Sequence, residues 1–216
     1  MSGGGQEAWR YADSLFTFSS DITRQEREDI SDLLLYADQR ASQYYNRSVL
    51  WKSWLDQHRH WMLANGCLEA GVIVMQPQVI NRVSDLDNVR FAVSGGQATQ
   101  ALSRLATRAL RAMDVAGVVR RFLAAGEPQS FKRAWQLQPC ERDTAGEITI
   151  LACGLQVVGY VERRDHEFWN QTSREMVLRI NGSAFTFSSM RYAPFRERIA
   201  TRLSQSASRE LERLVI

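Results

Sequence analysis

Apolar positions recur along this chain in two rhythms, one of three to four residues and one of two. The first rhythm opens behind Thr23-Arg24-Gln25-Glu26, whose S/T-x-x-E form predicts a helical capping box. Ile30, Leu33, Leu34, Ala37 and Ala41 then follow at helical spacing to an end near Tyr44 and Tyr45. It returns from about Ser48 to Ala64, with Trp51, Trp54, Leu55, His58, Trp61 and Met62 on one stripe and Asn65-Gly66 as the stop. A long helix is predicted from Gln97 to about Ala125, striped by Leu102, Leu105, Ala109, Met113 and Ala116. A short helix, Ser130–Leu137, is expected after the Gly126-Glu127-Pro128 break. The last helix should start near Pro194, where Phe195, Ile199, Leu203, Ala207 and Leu211 repeat every four residues.

The two-residue rhythm marks strands at Leu15–Phe18, Gly71–Met75 and Asn88–Val93. From Glu147 to Arg163 the chain is β in character but too long for one ordinary strand, so a bulge or bend is expected at Gly154 or Gly159. Asn181-Gly182 predicts a two-residue hairpin turn that sends Phe185 and Phe187 into the core and Thr186 away from it. Residues 138–146 read as a linker, and residues 1–14 as a flexible N-terminal segment.

FTFSS occurs twice, at Phe16–Ser20 and Phe185–Ser189, each time ahead of an amphipathic helix. Aligning residues 16–34 with 185–203 adds Arg27/Arg196, Glu28/Glu197, Ile30/Ile199 and Leu34/Leu203, which makes nine identities in nineteen positions. The expectation is a strand–helix unit used at both ends of the chain, its phenylalanines in the core and its two strands close together in one sheet. The predicted fold is therefore α+β and a single domain spanning 1–216. An antiparallel sheet from residues 71–93 and 147–188 would be covered by the helical pair 23–64, the central helix and the terminal helix.

Composition changes this picture in one respect. The 216 residues hold 44% hydrophobic and 24% charged side chains, ordinary globular values. Only Lys52 and Lys132 are lysine, however, so arginine supplies the other 25 of 27 basic residues. Arginine's planar fork pairs bidentately with carboxylate or phosphate, which lysine does not. Arg104, Arg108 and Arg111 fall at i, i+4 and i+7 on the central helix, with Arg120 and Arg121 beyond, and form the candidate binding stripe.

Candidate chemistry is sparse. Cys67, Cys140 and Cys153 are odd in number and widely spaced, which suits packing thiols rather than disulfides or a metal site. His58 and His60 lie two apart on a helix and cannot reach one ion from one face, so no metal or cofactor is expected. GxSxG, SxxK and GxGxxG are all missing from the sequence. The start of the chain shows no apolar signal region, and no run approaches a membrane span, which points to a cytoplasmic protein. The expected function is a non-catalytic binding or assembly protein that self-associates or joins a larger complex through aromatic and arginine-rich surface. The alternatives are nucleic-acid binding through the arginine stripe, and membrane activity through the central helices.

Overall fold

Thr23 closes both halves of its capping box, accepting from the Glu26 backbone N–H while Glu26 Oε2 accepts from the Thr23 N–H at 2.9 Å. Helix α1 (Arg24–Tyr44) follows, and after a short loop α2 (Trp51–Ala64). The computed structural model describes residues 7–11, 13–74, 77–89, 93–94, 115–123, 130–143, 145–165, 170–205 and 212–215. Within them lie two further α-helices, α3 (Val115–Leu123) and α4 (Ser189–Ser204), and a 3-10 turn at Val83–Asn88.

The strands are β1 (Glu7–Tyr11), β2 (Ser14–Phe18), β3 (Leu68–Val74), β4 (Gln78–Ile80), β5 (Val93–Ser94), β6 (Phe131–Arg142), β7 (Ile148–Asp165), β8 (Asn170–Phe187) and β9 (Glu212–Val215). They form one sheet in the order β5-β3-β8-β7-β6-β2-β1-β9, with β4 also paired to β8. Every pairing is antiparallel except β2 with β6. The mixed α+β class and a mostly antiparallel sheet are as expected.

Alternate strand residues feed two cores. One face carries Phe16, Phe18, Ile148, Ile150, Phe185 and Phe187 and is covered by α1, α2 and α4. The other carries Leu15, Leu137, Leu151, Leu155, Leu178 and Ile180 beneath α3 and the 3-10 turn. Phe185 and Phe187 are buried as predicted. The two FTFSS strands share a sheet but are separated by β6 and β7.

Several local expectations are overturned. Residues 7–11, inside the stretch read as flexible, pair with both β2 and β9, and the chain continues past α4 into that last strand. The expected helix Ser130–Leu137 is not helical: residues 131–137 belong to β6, and so do 138–142 of the expected linker; the turn itself is tied by Asp143 Oδ1 accepting from the Ala145 and Glu147 N–H groups. Tertiary burial on both faces outweighs helix propensity there. Of the strand expected at 88–93, Asn88 closes the 3-10 turn and Val93 lies in β5, while residues 90–92 lie outside the described residues.

No bulge interrupts β7 against β8: the register runs unbroken from Ile148↔Phe187 to Asp165↔Asn170, through both Gly154 and Gly159. Asn181-Gly182 is likewise not a turn. It lies inside β8, where Gly182 is needed because a Cβ would sit 2.0 Å from the Ala152 carbonyl oxygen. Helix α4 starts at Ser189 rather than Pro194, because buried Tyr192 anchors an extra first turn on the core. Of the expected central helix, 115–123 is helical; Gly95-Gly96 and the stretch through 114 lie outside the described residues.

Candidate functional site

Four arginines tie elements of the fold together. Arg196 makes a bidentate pair with buried Asp29 at 2.8 and 2.6 Å, joining α4 to α1. Arg142 joins β6 to Glu26 of the capping box at 2.5 Å; against the opposing effect of burial, hydrogen bonds from Arg142 and Thr23, aided by the Arg142 charge, hold the Glu26 carboxyl below its ordinary range. Arg47 pairs with Asp38, donates to Ser14 Oγ at 3.1 Å and lies over the Trp54 ring at 4.0 Å. Arg59 forks onto Glu69 at 2.6 and 2.5 Å. These are the carboxylate pairings that arginine geometry favours.

Three arginines are used otherwise. On α1, Tyr36, Arg40 and Gln43 lie at i, i+4 and i+7 and share one face; on α4, Pro194, Glu197, Arg198, Thr201 and Arg202 do the same. The two faces border an open groove of about 690 Å³ lined by Tyr36, Arg40, Glu197, Arg198 and Arg202, with Gln205 at its end. A contiguous depression carries Gln39 and Gln43. Arg40 is held by Gln43 Oε1 at 2.6 Å and lies 4.5 Å over Trp61, so its plane is set by stacking. Arg198 donates to Asn65 Oδ1 at 2.7 Å and sits 5.3 Å from the Phe195 ring. Among the described residues neither pairs with a carboxylate. Arg202 lies one helical turn beyond Arg198, and like charges at that spacing repel. The groove therefore presents three guanidinium groups against one carboxylate, Glu197, and can take up an anionic group by charge-assisted hydrogen bonds.

The stripe expected from the sequence is not this site. Arg104, Arg108 and Arg111 lie outside the described residues. Arg120 and Arg121 are exposed at the end of α3, on the opposite side of the sheet from the groove. The i, i+4 spacing of Arg198 and Arg202 is a signal in the sequence that could have pointed to α4. Nothing local ties them to Arg40.

No family model matches this chain, and no curated protein matches it. Among solved structures, that titled "Structure of the Evf virulence factor" is similar, with 9% identity over 91% of this chain and 82% of that one, at a TM-score of 0.39. Neither activity nor partner carries across at that level.

The other candidates for chemistry are buried. His58, on the apolar stripe of α2, is 1% exposed and stacks on Trp54 at 5.3 Å. Burial, with the nearby Arg47 charge, lowers its pKa to about 3. The three thiols are free and buried; burial raises Cys67 to about 12 and pushes Cys140 and Cys153 higher still. Among the described residues no group of three or more His, Cys, Asp or Glu could hold a metal, and no helix is long and apolar enough to cross a membrane.

Proposed function

We infer that the protein is a non-catalytic binding protein whose interaction face is the groove between α1 and α4, and that its partner is a protein surface presenting carboxylates. The observation that carries this reading is the contrast among arginines. Arg196, Arg142, Arg47 and Arg59 are neutralised within the fold, whereas Arg40, Arg198 and Arg202 converge on one open groove. Aromatic side chains back two of them, the composition that marks interface centres. Glu197 in the same groove opposes a dense polyphosphate and favours a few spaced carboxylates.

Fluorescence anisotropy with a labelled oligo-glutamate peptide and with a single-stranded oligonucleotide tests this directly. The peptide should bind in a salt-dependent way, and the Arg198→Glu/Arg202→Glu double variant should bind about tenfold or more weakly. Light-scattering mass at low and high salt then identifies whether a second copy of the chain supplies the carboxylates. Preference for the oligonucleotide, or peptide binding untouched by charge reversal, would sink the proposal.

A further inference from the structure

Between α2 and the sheet lies a cavity of about 220 Å³, bounded by Leu55 and His58 above and by Gln136, Ala152, Ser183 and Phe185 below. Its floor is set by strand register. Gln136 lies beside Gly154 and Gly154 beside Asn181, one rung along from Ala152 beside Ser183. Gly154 lets α2 come down onto the sheet, since a Cβ there would stand 2.7 Å from Leu55 and 3.0 Å from the Trp51 indole nitrogen.

Gln136 is 0% exposed, and neither Oε1 nor Nε2 of its amide has a hydrogen-bond partner among the described residues. A carboxamide offers one acceptor and two donors, and leaving them unmet away from water is unfavourable enough that native proteins seldom do it. Apart from the Trp51 indole nitrogen, which likewise finds no partner among the described residues, the neighbouring side chains Ser183, Glu69 and His58 are already engaged. Ser183 Oγ donates to Glu69 Oε1 at 3.0 Å, Glu69 is forked by Arg59, and His58 Nε2 lies 3.1 Å from Gln138 Nε2. Asp56 and Arg59 stand at the exposed rim. The interior thus offers an unused amide with no unpaired charge beside it, so a charged ligand would lose its hydration without a counter-charge. The volume equals that of about seven waters in the liquid, and it falls below the range of roughly 300–1,000 Å³ typical of drug-sized sites. The occupant must be small.

We propose that this cavity is a binding site for a small uncharged molecule with an adjacent donor and acceptor, a carboxamide or lactam, which pairs with both atoms of the Gln136 amide. The site is separate from the arginine groove and does not depend on its function. The test is an NMR titration of the isotope-labelled full chain with nicotinamide and with uracil, using nicotinate as the charged counterpart of nicotinamide. A neutral probe should shift the Gln136 side-chain amide and saturate, with nicotinate binding about tenfold or more weakly. Gln136→Met should weaken the neutral probe to a similar degree. Val72→Trp, at a rim position that is 39% exposed, should weaken it by closing the mouth, and it tests the site even where Gln136→Met does not fold. The proposal is overturned by no saturable shift with either neutral probe, by nicotinate matching nicotinamide, or by affinity that neither substitution changes.

Discussion

Two ends of the same sheet face, covered by helices of the same chain, are built on opposite principles. At one end Phe18, Cys140, Ile150 and Phe185 stand side by side across β2, β6, β7 and β8, packed under α1 and α4. Two rungs along, the same four strands present Ser14, Gln136, Gly154 and Asn181 under α2. The first end is a close-packed hydrocarbon core, where stability comes from shape and area. At the second, Gln136, Gln138, Gln156 and His58 are all buried, and amide atoms of each of the three glutamines have no partner among the described residues. Backbone pairing continues through both ends without interruption on the β7–β8 side. Side-chain chemistry can thus change over two rungs while the ladder holds its geometry, which lets one rigid sheet serve as both core and binding floor.

Large-to-small substitution gives the largest expected effect. Phe18→Ala and Phe187→Ala, at the matching second phenylalanines of the two FTFSS copies, should each cost about 3–5 kcal/mol in denaturant unfolding. Similar losses would support equivalent roles for the two copies, whereas a loss under about 1 kcal/mol at either site breaks that equivalence.

Acid should expose the polar end. Burial lowers the pKa of His58 from its ordinary value of 6.5 to about 3 in the folded protein. Neutral His58 therefore contributes stability that is fully present above about pH 6.5 and is lost as pH falls toward 3. The slope is about 1.4 kcal/mol per pH unit across that window. Guanidinium midpoints measured from about pH 7 down to about pH 4 should fall with this slope in the wild type and flatten in His58→Gln; an unchanged slope in the variant would remove His58 as its source.

Asp29→Asn, which weakens the tie from α1 to Arg196, should cost about 1–2 kcal/mol, moderated because the Arg196 side chain is 42% exposed and can turn to water. Thermal unfolding reads this, and a neutral result would assign the α1–α4 contact to its apolar residues alone. The smallest effect is expected at Gln136→Met. Removing both unpartnered amide atoms should be neutral or stabilising by up to about 1 kcal/mol. A clear destabilisation in denaturant would mean that the amide is structurally satisfied, which would undo the contrast between the two ends.

The helices α1 and α2 were legible because their apolar residues recur at helical spacing, although the fold buries α1 more widely than one stripe, with residues 33–38 all inside. The core placement of the FTFSS phenylalanines was legible as well. Strand β6 was missed although Trp135-Gln136-Leu137-Gln138 alternates at period two. That alternation reads as one buried and one solvated face, yet the fold buries the glutamines as well. Asn181-Gly182 carried a strong turn signal, and the fold uses its glycine instead for close approach of two strands.

By itself the sequence determined the helix start at Thr23, the stripes of α1 and α2, the α+β class and the richness in arginine. These are local or compositional properties, fixed by neighbours within a turn or two. Tertiary structure decided which arginines are neutralised and which line a groove, because the carboxylate that silences Arg196 lies in another helix, 167 positions away. It also decided that Gln136 is buried beneath α2 rather than hydrated. Whether a polar side chain meets water depends on what packs over it, and that information is spread along the whole chain.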